Sequence, residues 1–174
     1  YIEKYMIGKG IPDMSVELLK KFRESIYEIF SNAVIHSRTK QGIFSCGQYY
    51  YKKHLLEFSI ADLGIGIRQN IQKRFGLDLT AAVAINWALE GSNTTKAGPI
   101  PGGLGLKLLR EFIVKNEGRI QIVSDKGYWE LSGGKVTTRS FSDPFPGTVV
   151  NIVINTGDTK SYSLASEVSP EEIF

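Results

Sequence analysis

Residues 43–66, IFSCGQYYYKKHLLEFSIADLGIG, decide the architecture. Segments 43–51 and 55–61 are rich in Phe, Tyr, Ile and Leu, and Lys52-Lys53-His54 separates them. Aromatic and aliphatic runs around a short polar break predict two antiparallel strands. The second strand runs into Asp62-Leu63-Gly64-Ile65-Gly66, where two glycines break the pattern.

Upstream, residues 15–36 place Leu19, Phe22, Ile26, Ile29, Phe30 and Ala33 three and four apart, the period of an amphipathic helix capped by Ser15. Downstream, a short helix is expected near 68–74 and a longer one at 79–90 (LTAAVAINWALE). Residues 91–105 (GSNTTKAGPIPGGLG) are a loop by composition, and 106–116 return to helical period with Gly118 as stop signal. Strands follow near 119–124, 127–132 and 148–154, with a looser stretch between the last two. Helices and strands are segregated more than they alternate. The expected fold class is therefore α/β of the α+β kind, a two-layer sandwich with a mixed sheet and helices packed on one face. Residues 1–16 read as a lead-in, 17–154 as the domain, and 155–174 as a polar tail, linker or docking arm in which Ser169-Pro170-Glu171-Glu172 can start a helix.

The 174 residues suffice for one self-standing core, with 42% hydrophobic and 22% charged residues, as in ordinary soluble domains. A net charge of +3, from 21 basic and 18 acidic side chains, is too small and scattered for a nucleic-acid stripe, yet compatible with a polyanionic small ligand. Cys46 alone excludes an internal disulfide, and with only His36 and His54 beside it a structural zinc site is not expected. No apolar run approaches the roughly 18 residues of a membrane span and no signal peptide opens the chain, so the cytoplasm is the default compartment. A chain opening on Tyr1 reads as a piece of something longer.

Three elements carry chemistry. Glu28, Asn32 and His36 are four apart, so they form one polar stripe beside the apolar face of the first helix. A stripe like this is usually just a solvated face, but Asn favours caps and turns over a helix interior, and solvated faces usually carry Lys and Glu. Asn offers a neutral oxygen to a hard cation such as Mg²⁺, and a carboxylate one turn away can orient or deprotonate a nucleophile. Asp62 leaves a strand at its end, where it serves either as an ordinary turn former or as an acceptor for an exocyclic amine, with Gly64 and Gly66 allowing close approach. Gly102-Gly103-Leu104-Gly105 opens the helix at 106, and a helix N-terminus presents free N–H groups suited to phosphates. Competing nucleotide motifs fail: Gly134-Lys135 is followed by Val136, Gln69 stands where a dinucleotide fingerprint needs Gly, and no kinase H-R-D or D-F-G occurs.

Taken in order, Glu28-x-x-x-Asn32-Ala33-x-x-His36, Asp62-x-Gly64-x-Gly66 and Gly102-Gly103-x-Gly105-Leu106 resemble the N, G1 and G2 boxes of the GHKL superfamily. Thr148, in Pro146-Gly147-Thr148-Val149-Val150, is similar to that family's closing Thr, and the resemblance spans about residues 17–154. In motif the chain is nearest to the anti-sigma-factor serine kinases and sensor-kinase catalytic domains. The resemblance implies a Bergerat-type ATP-binding fold with ATP and Mg²⁺ as cofactors. It implies that Asn32 ligates Mg²⁺, Asp62 accepts from the adenine amine with Thr148 sharing a water, and Gly64 and Gly66 line the adenine and ribose wall. Gly102, Gly103, Gly105 and Leu106 belong to the lid over the phosphates, and Glu28 is the general base.

Many orthodox histidine kinases have Asn where Glu28 stands, and no phenylalanine box of the sensor-kinase type lies between 67 and 101. The expected function is a kinase or ATPase domain in signalling or regulation, with a phospho-acceptor or other protein as partner. The alternative is an ATP-gated interaction module with little turnover, docking through 91–101 or the tail. A third reading stacks nucleic-acid bases on Tyr49, Tyr50 and Tyr51, but consecutive strand residues face opposite sides and more often serve packing.

Overall fold

The computed structural model describes residues 8–90 and 104–167. Its helices are α1 (Val16–Ser37), α2 (Gly66–Phe75), α3 (Ala81–Leu89) and α4 (Leu104–Lys115), and its strands β1 (Ile43–Tyr50), β2 (Leu55–Asp62), β3 (Arg119–Ser132) and β4 (Lys135–Asn155). The strands form one four-stranded sheet in the order β1-β2-β4-β3. Helices cover one face, so the expected two-layer α+β sandwich stands. The sheet was expected to be mixed, whereas all three of its ladders are antiparallel. The helical crossover from β2 to β3 does leave those two strands running the same way, but β4 inserts between them.

The sheet's period-two pattern explains which face is covered. Leu56, Phe58 and Ile60 of β2 are buried. They sit in register with Ile154, Ile152 and Val150 of β4, which in turn face Ile120 and Ile122 of β3. Onto this surface α1 lays Phe22, Ile26 and Ile29, and α4 lays Leu109, Phe112 and Ile113. Phe22 meets Phe112 edge-on at 5.4 Å. Each such side chain contributes about 1.5–3 kcal/mol by leaving water.

The ends of the elements show where local signals held. Ser15 caps α1, its Oγ accepting from Leu18 N–H at 3.1 Å. Helix α4 begins at Leu104, earlier than glycine content suggested, because an interior Gly costs only about 1 kcal/mol. It ends with Glu117 left-handed at φ 58° while Gly118 N–H returns to the Ile113 carbonyl at 2.9 Å. Gly118 has a second reason to be glycine: a Cβ there would lie 2.4 Å from the Val153 carbonyl oxygen. The chain passes from α4 into β3 pressed directly against β4.

The expected strands 119–124 and 127–132 are two legs of β3. Gln121 Nε2 donates to Glu130 Oε2 at 2.8 Å and to the Tyr128 hydroxyl at 2.9 Å. A straight strand would separate residues nine apart by about 30 Å, so β3 doubles back at left-handed Asp125. The looser stretch expected before residue 148 is a correction: Lys135–Ser140 pairs with Gly127–Ser132 as the first leg of β4. That leg is exposed and polar, so it carries no apolar alternation to read. The loop expected over 91–105 lies, up to residue 103, outside the described residues, as does the helix start at Ser169–Glu172.

Residues 156–167 are tied back to the domain. Tyr162 bridges Met14, packs its ring against Phe112 at 5.3 Å, and donates its hydroxyl to Asp158, with the Lys115 carbonyl 3.0 Å from the same oxygen. Fully buried Asn116 bonds Asn155 in both directions. Gly118→Ala is expected to destabilise the domain by about 1–3 kcal/mol through overpacking, and chemical denaturation measures it; an unchanged midpoint would mean that α4 and β4 are not in contact there.

Candidate functional site

A cavity of about 170 Å³ opens between α1, the end of β2, the second leg of β4, and α4. The same turn of sheet and helix that fills the core aims polar groups into it. On α1 the apolar stripe faces the sheet, so Glu28, Asn32 and His36 fall along one margin and line the cavity. Across from them stand Asp62 and Thr148, cross-strand partners in the β2–β4 register. Gly66 and Leu106 complete the set of expected site residues that meet here.

Asp62 is 4% exposed. Burial raises its pKa above the ordinary carboxylate range, while hydrogen bonds from the Gly64 and Thr148 N–H groups pull it back. The Gly64 bond to Oδ1 measures 2.9 Å. Two glycines make this crowded corner possible. A Cβ on Gly147, whose φ is +95°, would sit 2.0 Å from the Asp62 carbonyl oxygen, and one on Gly64 would sit 1.9 Å from that of Ser37. Gly64 therefore serves the contact between the β2 turn and the end of α1, where Ile65 N–H also bonds the Ser37 carbonyl at 2.8 Å. It is not among the residues lining the cavity, unlike Gly66.

Sequence reasoning missed Ser124. Buried on β3, its Oγ donates to the Gly147 carbonyl at 3.0 Å, accepts from Ile67 N–H at 2.9 Å and lies 3.0 Å from Thr148 Oγ1. A hydroxyl has one proton. With that proton on the Gly147 carbonyl, the Thr148 hydroxyl donates to Ser124, leaving Thr148 lone pairs as acceptors. Asn70 was also missed: it lines the cavity and donates to the His36 carbonyl at 3.3 Å, joining α2 to α1. Neither residue stands in a recognisable local pattern, since their partners are 57 and 34 positions away along the chain. Gly102 and Gly103 lie outside the described residues, and Gly105 falls in the first turn of α4.

The donor set suits a nucleotide with a metal. A buried carboxylate and a threonine mark one part of the cavity, and a neutral amide with a carboxylate one turn away marks another. Among the described residues no group of three or more His, Cys, Asp or Glu could hold a metal by itself. A divalent ion here would share its coordination with ligand oxygens.

No protein-family model matches the chain, and no curated protein matches it. Among solved structures, the ATPase region of Saccharomyces cerevisiae topoisomerase II is similar, with 12% identity, a TM-score of 0.47, and coverage of 82% of this chain and 40% of that one. The same region bound to dexrazoxane also has 12% identity and a TM-score of 0.47, covering 79% and 37% of the two chains. The ATPase and transducer domains of DNA topoisomerase II from Balamuthia mandrillaris are similar at 13% identity and a TM-score of 0.47, with coverage of 79% and 37%. The chain thus spans about two fifths of the length of the structures it matches.

A raised folded pKa means that the stability Asp62 contributes is fully present below the unfolded value, near pH 3.9, and is lost as pH rises through the folded value. The stability of Asp62→Asn relative to the parent is therefore expected to improve as pH rises from about 3.9 toward neutrality. Urea midpoints measured across that range check it, and a difference that ran the other way would contradict the burial account.

Proposed function

We propose that the chain is an Mg-ATP-binding domain of the GHKL type that transfers or hydrolyses the γ-phosphate, a kinase or ATPase unit in signalling or regulation. One observation carries the reading: Glu28 and Asn32, Asp62, and Thr148 lie far apart in sequence yet line one cavity. Motif order by itself is weak support, because each box has an ordinary structural use. Convergence of the boxes is much harder to obtain from packing alone.

In this reading Asp62 accepts a hydrogen bond from the exocyclic amine of adenine, and Thr148, its proton directed to Ser124, adds a second acceptor. Gly66, which lines the same cavity, takes a left-handed φ of +73°, and a Cβ there would meet Ser124 Oγ at 3.0 Å. Asn32 would offer a carbonyl oxygen to a bound Mg²⁺, whose chemistry would be to screen phosphate charge. Glu28, one helical turn from Asn32, holds a carboxylate where it can take a proton from water or from an acceptor hydroxyl. What bound Mg-ATP would supply is an activated phosphoryl group with its charge screened by the metal. The chain's own contribution is then mainly positioning and desolvation, which suits phosphoryl transfer.

The test is calorimetric titration with ATP, with and without Mg²⁺, followed by ATP labelled on its terminal phosphate. Free phosphate indicates hydrolysis, and a labelled second protein indicates a kinase. Asp62→Asn is expected to weaken binding by about tenfold or more, since a buried amide cannot accept as a carboxylate does. Glu28→Gln should keep binding within about twofold while turnover falls by about 10²-fold or more. Full turnover in that variant would remove Glu28 from the base role. Asn32→Ala should abolish the dependence of affinity on Mg²⁺, and an unchanged Mg²⁺ dependence would remove Asn32 from the metal.

A further inference from the structure

Arg110 is the one lysine or arginine among the described residues that line the cavity. It stands on α4 four positions after Leu106 and one after Leu109, both also on the cavity wall. Residues four apart share a helix face, and helical side chains lean toward the N-terminal end of their helix, here the start of α4 at Leu104. Its guanidinium lies over the Trp129 ring, 5.5 Å from the ring centroid, and donates through one nitrogen to the Leu89 carbonyl at 3.3 Å. Trp129 is fully buried, and its indole N–H reaches Asn86 Oδ1. The cation thus lies over a fully buried ring.

A purely structural duty is available to it. Leu89 closes α3, and basic side chains commonly satisfy the last carbonyls of a helix. That duty uses one donor of the five that a guanidinium carries, at a length just beyond the usual hydrogen-bond range. The surrounding charge points to more. A polyanionic ligand in this cavity is attracted by a cation on its wall. A planar guanidinium fork is the group that recognises phosphate oxygens in pairs.

We propose that Arg110 is the cationic contact for the phosphate end of the ligand in this cavity. The proposal rests on the nucleotide reading above and adds a residue to it. On ligand binding the fork keeps its seat on Trp129 and gives its long bond to Leu89 in exchange for phosphate oxygens. Affinity for phosphorylated nucleotides then depends on Arg110, and affinity for the nucleoside does not.

Calorimetric titration of the full chain with Mg-ATP and, separately, with adenosine tests this. Arg110→Gln is expected to weaken Mg-ATP binding by about tenfold or more while leaving adenosine within about twofold. Arg110→Lys, which keeps the charge but not the fork, should fall between the two and guards against loss of the Trp129 stack. Far-ultraviolet circular dichroism melts of both variants check that they remain folded. Equal weakening of ATP and adenosine would reduce Arg110 to a cap on α3 and overturn the proposal, as would no change for either ligand. If the parent chain binds neither ATP nor adenosine, the nucleotide reading itself fails and this contact goes with it. ATP binding in the parent that Arg110→Gln leaves intact defeats the contact alone.

Discussion

The β2–β4 ladder that sets Asp62 opposite Thr148 is the constraint on which the rest of the structure depends. It fixes the core and, at the end of the same covered face, the cavity. Shifting that register by one residue would turn Leu56, Phe58 and Ile60 away from α1 and α4, and would carry Asp62 to the open face of the sheet. The hydrophobic effect therefore guards the polar site: the carboxylate cannot leave its place without exposing three large side chains. Gly147 and Gly64 permit this arrangement, because backbone from β4 and from the end of α1 approaches the Asp62 turn more closely than any Cβ allows.

Burying a carboxylate at that position works against folding, and its raised pKa is the sign of that cost. Hydrogen bonds from two backbone N–H groups offset part of it without neutralising the charge. The remainder is carried by the core, chiefly by the contact of α1 and α4 over β2, β3 and β4. Ser124 extends the same logic to Thr148. One buried hydroxyl ties β3, β4 and the start of α2 together beside Thr148.

Much was legible in particular residues. The apolar spacing from Phe22 to Ala33 placed α1, and with it the Glu28-Asn32-His36 stripe, since a 3.6-residue period ties a polar face to the apolar one beside it. Asp62 at a strand end followed by Gly64 and Gly66 was equally plain. The glycines misled in detail, because a glycine looks the same in sequence whether it lines a cavity, as Gly66 does, or clears space for backbone, as Gly64 does at Ser37 and Gly118 at Val153. The first leg of β4 escaped notice for a related reason: Lys135–Ser140 is exposed, and exposed strands need not alternate.

The sequence by itself determined the elements, their apolar faces and the identity of the polar groups riding on them, because periodicity and glycine placement act over a few residues. Only the tertiary structure decided which of those polar groups share a cavity, that the sheet is antiparallel throughout with β4 between β2 and β3, and that Ser124, Asn70 and Arg110 belong to the site. These are contacts between positions tens of residues apart. They exist only once burial of the core has brought the chain together, and no local rule of spacing records them.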